Sequence, residues 1–451
     1  MNVEPKPPND APFRAGELNL PSGLADALCR AIDERREEIV ELTRQLVQFP
    51  TVNPPGEAYR PCAEFLGARL ARRGFAVEYV HAEATPGDSA RYPRVNVIAR
   101  RESGMKGPCV HFNGHIDVVQ TGAGWTVDPF AGVIKDGKLF GRGTCDMKGG
   151  LAAAIVAAEA LIDSAQRGHA RVPGVLEISG TVDEESGGYG GVHYLAERGW
   201  FSSPRVDHVI IPEPLNVDRV CIGHRGVWWA EIETHGRIAH GSMPFLGDCA
   251  IRHMNAILDR FESDLYPRLM ARKTDMPVVP SGARHSTMNI NSIHGGLAEP
   301  EGGALPAPCV ADSCRMVIDR RWLIEEDLDG VKGEIKALLD GLARERAGFS
   351  YTLRDIFDVK PTLADRNGPV ARTTAAAVRR VLGRDPEFIC SPGTYDQKHI
   401  DRVGKLRDCI AYGPGILNVA HQPDEYVVID DLVASAKVMT LAACSLLSAS
   451  T

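Results

Sequence analysis

The chain predicts an α/β protein in which a mostly parallel, mixed sheet is covered by helices and a smaller α+β unit is inserted into it. Three observations lead there. Short apolar segments ending in polar, glycine-rich turns alternate with helical segments up to about Gly223. After His224-Arg225-Gly226 the order becomes β-α-β-β-α-β, that of a ferredoxin-like unit. Finally, 451 residues exceed what one compact core holds, so two domains are expected.

The elements follow in order. Residues 25–47 carry Leu28, Ile32, Ile39, Leu42 and Leu46 at helical spacing, and Thr51-Val52-Asn53-Pro54-Pro55 stops them. A second helix is expected over 59–73. Val110-His111-Phe112-Asn113 is a short strand that delivers His115 at its C-terminal end, where open α/β sheets place their sites. The glycine-rich turn 141–150 leads into an alanine-rich, buried helix over 151–161. Strands at 175–180 and 208–211 run into Asp183-Glu184-Glu185 and Pro212-Glu213-Pro214. In the insert, 227–234 alternates like a half-buried strand, 249–273 and 325–346 are helical, and 287–293, 314–319 and 350–357 are strands. The expected domains are a catalytic metal-binding domain, first part, at 1–225, a lid at 226–358, and the second part of the catalytic domain at 359–451.

Composition narrows the function. A hydrophobic share of 44% with 24% charged residues is ordinary for a soluble globular chain, and a formal charge of −8 argues against a nucleic-acid partner. The apolar run near Leu151 is too short for a membrane span and is interrupted by Glu159. The first ten residues are polar and proline-rich, so they read as a leader without secretory character. Eleven scattered cysteines, with no Cys-x-x-Cys pair, fit reduced core thiols in a cytoplasmic protein.

Chemistry concentrates in His115, Asp146, Glu185, Glu213 and His421, each beside a turn. A divalent ion needs about four ligands, and two ions sharing one carboxylate need two further protein ligands each plus solvent. These five residues supply that number. Glu184 is left beside a ligand, where a carboxylate could take a proton from the attacking water. Asp117, two residues from His115 on an extended strand end, can hold the ring's other N–H. Singly, the motifs are weak: a lone Asp-Glu-Glu is more often a solvated turn, and the glycine-rich turn lacks the spacing of a phosphate-binding loop. Cys145 offers an alternative thiolate ligand next to Asp146. In this order, each at a strand end, the elements point to one locus.

The segments GHIDVVQTG, GRGTCDMKGG, TVDEESGG, Glu213-Pro214 and AHQPDEYV resemble those of the co-catalytic zinc aminoacylases, which include acetylornithine deacetylase, succinyl-diaminopimelate desuccinylase and carboxypeptidase G. The resemblance runs from about Glu37 to the C-terminus. It implies a zinc-exopeptidase-like catalytic domain with an inserted lid through which members dimerise, and a cis peptide after Asp146. It also implies that His115 and Glu213 hold one ion, Glu185 and His421 the other, and that Asp146 bridges. Glu184 would be the general acid/base and Asp117 the support for His115.

The resemblance further implies substrate-reading residues. His240, otherwise an ordinary surface or capping histidine, would polarise the scissile carbonyl in the other subunit's site. Arg320 would pair with a substrate carboxylate, for which a guanidinium fork is suited. The loop at Gly393 and Thr394 would offer it backbone N–H groups. The run Gly303-Ala304-Leu305-Pro306-Ala307-Pro308 departs from the family, which has an asparagine there, leaving Asn289 or Asn291 as substitutes. The expected protein is a homodimeric amide hydrolase acting on an N-acyl amino acid or similar carboxylate-bearing amide. Two divalent ions are expected, zinc by default and cobalt or manganese as alternatives. Alternative readings are a carboxypeptidase or dipeptidase, a hydrolase of another C–N bond such as an aryl amine, or a metal-dependent binding protein.

Overall fold

The computed structural model describes residues 18–296 and 308–449. The expectations about the first ten residues and about the run at 303–307 lie outside them. The chain forms two compact units, one comprising residues up to Ile222, Ala364–Phe388 and the segment from His399 onward, the other Gly223–Leu363 and Ile389–Lys398.

The first unit is built on a mixed sheet. Its strands lie in the order Ala76–His81, Val95–Glu102, Val175–Thr181, Cys109–His115, His208–Ile211, Cys409–Ala411, Arg219–His224. The three central pairings are parallel and the outer ones antiparallel. Parallel strands buried on both faces need near-continuous apolar sequence, and Val209, Ile210 and Ile211 are fully buried. Gly114 pairs with Gly180 and His115 with Thr181, so the chain segments carrying Asp117 and Glu184-Glu185 leave the sheet side by side.

Two apolar helices flank this sheet. Lys148–Gln166 is buried along almost its whole length. A Cβ added at Gly150 would lie 1.9 Å from the Pro212 carbonyl oxygen, so only glycine lets the helix start approach the turn bearing Glu213. The helix Ile429–Ser448 is long and apolar enough to cross a membrane by composition, but 78% of its most apolar window is buried inside the protein. The helix read over 25–47 is two, Ser22–Asp33 and Arg36–Val47. Ile32 and Ile39 stay seven residues apart on one buried side, so the break in the charged stretch between them leaves no trace in the spacing.

In the second unit an antiparallel sheet runs in the order Thr287–Gly295, Ser313–Trp322, Gly226–His235, Ser350–Val359. This is the ferredoxin-like arrangement. Alternate residues Trp228, Ala230, Ile232, Met316 and Ile318 share one core with Met254 and Ile257 of the helix Ala250–Arg260 and with Ile335 and Leu339 of Leu328–Glu345. Asp327 caps the latter, its side chain accepting from the Gly330 N–H at 2.8 Å. The helix expected over 249–273 is interrupted by a wide turn, Phe261–Leu265, just before Pro267, which has no N–H to continue an α-helix.

Candidate metal centre

Five strand or turn ends of the first unit converge. Ligand atoms of His115, Asp146 and Glu185 lie within 4.8 Å of one another. His115 Nε2 is 3.1 Å from Asp146 Oδ1, and His421 Nε2 is 3.1 Å from Glu185 and 3.5 Å from the other Asp146 oxygen. Asp146 thus faces one imidazole with each oxygen, the disposition a bridging carboxylate requires. Glu213 is buried after its strand, close enough for its charge to act on His115. The peptide between Asp146 and Met147 is cis.

Asp117 does more than its expected task, and by a different route. The His115 Nδ1–H donates to the Asp117 main-chain carbonyl at 2.9 Å, while the nearest carboxylate oxygen is 3.6 Å away. The carboxylate instead accepts the N–H of Glu184 at 3.2 Å and of Glu185 at 3.1 Å. It therefore holds the turn that carries both Glu185, a candidate ligand, and Glu184. Asn53, read in sequence only as part of a helix stop, donates to Asp117 at 3.1 Å and to Ser186 Oγ at 2.8 Å. Asp183 opens the same turn in a left-handed conformation, φ 63°, and accepts from Tyr59 Oη at 2.9 Å and Arg94 Nε at 3.0 Å.

The electrostatics follow from this set. Burial works against a charged His115, yet the hydrogen bond to Asp146 and the charges of Asp117 and Glu213 hold it well above the usual imidazole range. Hydrogen bonds to Asp146 and Glu185 raise His421 to about 11. Burial opposes ionisation of Asp146, but the two imidazoles hold it below the usual carboxylate range, while burial and the Asp146 charge push Glu185 up to about 7. The clustered acids favour positive charge at this spot. Two nitrogen and three carboxylate donors fit divalent first-row cations in the same place. Cys145, by contrast, is buried, its thiol raised well above the usual range by burial and the charges of Glu425 and Asp146, and its Sγ contacts the Ile416 carbonyl at 3.4 Å, which disfavours a thiolate ligand.

The profile of peptidase family M20/M25/M40 matches residues 111–445. The chain belongs to this family. It is a metal-dependent hydrolase of amide bonds, of the desuccinylase type. It is similar to succinyl-diaminopimelate desuccinylase of Stenotrophomonas maltophilia (strain K279a), 30% identical over 402 residues that cover 88% of this chain and 96% of that one. In fold it is similar to human carnosine dipeptidase 1, with a TM-score of 0.75 and 17% identity over 95% of this chain and 100% of the other. It is also similar to a dinuclear metal-binding peptidase of Bacillus subtilis, with a TM-score of 0.63 and 15% identity over 92% and 99%.

The remaining candidate residues of this family member lie in the second unit. His240 is exposed on a turn, and its Nδ1 accepts the Ser242 N–H at 3.2 Å, so the proton of the neutral ring sits on Nε2. Arg320 is wholly buried, its guanidinium bound to Glu326 at 2.7 Å and 3.8 Å from Glu334. Arg320, expected to receive a substrate carboxylate, follows Cys314, Met316 and Ile318 on the inward face of its strand, with its charge paired to Glu326. Arg321, facing the other way, is partly exposed and paired with Asp319. Near it Arg225 is buried and donates to neutral acceptors, the carbonyls of Pro392 and His285 and the hydroxyl of Thr287. Burial and the Arg321 charge push Arg225 down to about 10. The Gly393–Thr394 loop belongs to this unit too, because Cys390 exchanges backbone bonds with Pro277 and Val279. The Gly393 N–H is taken by Ser391 Oγ at 3.2 Å. Asn289 and Asn291 are exposed and bond to each other.

Proposed function

We propose that the protein is a dinuclear amidohydrolase that removes the acyl group from an N-acyl amino acid or a similar amide bearing a free carboxylate. The observation that carries this is Asp146 set between His115 and His421, with Glu184 on the turn that presents Glu185. His115, Glu213, Asp146, Glu185 and His421 would hold two divalent ions, zinc by default and cobalt or manganese as alternatives. Bound there, such ions polarise the amide carbonyl and make water more acidic. Glu184 takes the proton from the attacking water and returns it to the leaving nitrogen. His240, as an Nε2–H donor, stabilises charge on the carbonyl oxygen.

The carboxylate partner is assigned to Arg321, since Arg225 and Arg321 together outweigh the single charge of Asp319. The Thr394 loop contributes polar contacts. Residues 226–358 act as lid and dimerisation domain. Self-association through this domain is supported by Phe245, Leu246, Ile238 and Met243, all exposed, and by the edge strand Thr287–Gly295, which ends beside exposed Ile251. Eleven free cysteines support a cytoplasmic location.

A panel of N-succinyl, N-acetyl and dipeptide substrates, assayed with and without chelator, tests the reading. Chelator-sensitive release of an acyl group from an amino acid is expected. Turnover confined to dipeptides would turn the assignment to a dipeptidase, and failure of every amide with metal loaded would favour a binding protein. His240→Ala should lower kcat with metal content unchanged.

A further inference from the structure

Arg142 and Glu425 are fully buried in the first unit and pair at 2.6 Å, 283 residues apart in sequence. What surrounds them is more informative than the pair itself. One Glu425 oxygen accepts three main-chain N–H groups, those of Gly143 and Cys145 at 2.9 Å and of Asp146 at 3.1 Å. Arg142 in turn donates to the carbonyls of Gln120 and Thr121, both at 3.1 Å, and of His421 and Gln422, both at 3.3 Å. Three segments are thereby tied to one ion pair: the one following His115 and Asp117, the turn ending in Asp146, and the turn of His421. Each carries a residue of the metal centre. His421 is itself in a left-handed conformation, φ 64°, uncommon for a residue other than glycine although histidine adopts it more readily than most.

We infer that Arg142 and Glu425 are positioning residues that set the spacing between Asp146 and His421, so that both ions can be held at once. A charged acceptor aligns three N–H groups more strongly than a neutral one, and a guanidinium, with its fixed fork of N–H groups, can serve a carboxylate and several carbonyls at once. No metal contact is required of either residue. Their effect runs through the backbone of the ligands, and outer partners of ligands commonly change metal affinity by roughly 10–100-fold. This inference rests on the proposed ligand set.

The test is titration of the metal-free full-length protein with Co²⁺ alone, read by visible absorption and by calorimetry, for the wild type, Glu425→Gln and Arg142→Lys. Circular dichroism and Tm report folding separately. The expected result is two equivalents bound by the wild type, with one of the two steps weakened roughly 10–100-fold in each folded variant and the cobalt spectrum altered. Two steps of wild-type affinity in a folded variant, even one of lowered Tm, would overturn the inference and leave the pair a purely structural one. Should Glu425→Gln fail to fold, Arg142→Lys, which keeps the charge and loses the fork, decides alone. Failure of the wild type to bind two equivalents would strike the ligand set instead, so the two failures are distinguishable.

Discussion

Loading the metal-free protein near pH 8 should release about two protons for each pair of ions bound, because the ligand nitrogens are occupied by protons beforehand. The count follows from the centre. His421, raised to about 11, and His115, held well above its usual range, must each deprotonate before Nε2 can coordinate. Asp146 is held low and releases nothing, while Glu185, at about 7, contributes a fraction that grows as the pH falls. The release should therefore climb from about two protons near pH 8 towards about three near pH 6. The sign is fixed: both histidines bind metal only in the deprotonated form, so affinity rises with pH until their metal-free pKa values are passed. With two protons displaced, the overall association constant should rise about 100-fold per pH unit in this range. Calorimetry in two buffers of different ionisation enthalpy measures the count directly. A release below about one proton near pH 8, or a count unchanged in His421→Ala, would refute the reasoning.

Other substitutions separate the roles. Glu184→Gln should keep both ions while kcat drops by roughly 10²–10⁴-fold, and near wild-type turnover would remove the base assignment. Asn53→Ala removes the donor shared by Asp117 and Ser186 and should lower kcat several-fold with metal stoichiometry intact; an unchanged kcat would mean that the turn is held without it. Arg320→Ala breaks a buried pair and should cost about 3–5 kcal/mol of stability, seen in denaturant unfolding. Arg321→Ala should instead raise KM for carboxylate-bearing substrates with Tm little changed, and the reverse pattern would restore Arg320 as the substrate contact.

The architecture was largely legible because its signals are local. Apolar strands ending in turns named the positions of His115, Glu185 and Glu213, and period-two alternation with a change of element order marked the ferredoxin-like unit. The same alternation places Arg320 with Cys314, Met316 and Ile318 on the inward face. Other features are non-local and left no local sign. Asn53 reaches Asp117 across 64 positions, and segment 389–398 joins the second unit through backbone bonds that no side-chain pattern encodes. The two-residue step from His115 to Asp117 likewise suits a carbonyl contact as well as a carboxylate one, and only coordinates tell them apart.

That last distinction bears on what mutagenesis can reveal. Since the carbonyl at position 117 steadies His115, every amino acid placed there retains that acceptor, and the genetic code offers no way to delete it. A defect caused by replacing Asp117 then reports on its carboxylate, through the Glu184-Glu185 turn and the charge it sets beside His115, and never on that hydrogen bond. The imidazole's own anchor is inherited with the main chain, and probing it calls for chemical synthesis, such as a backbone ester that weakens the carbonyl as an acceptor.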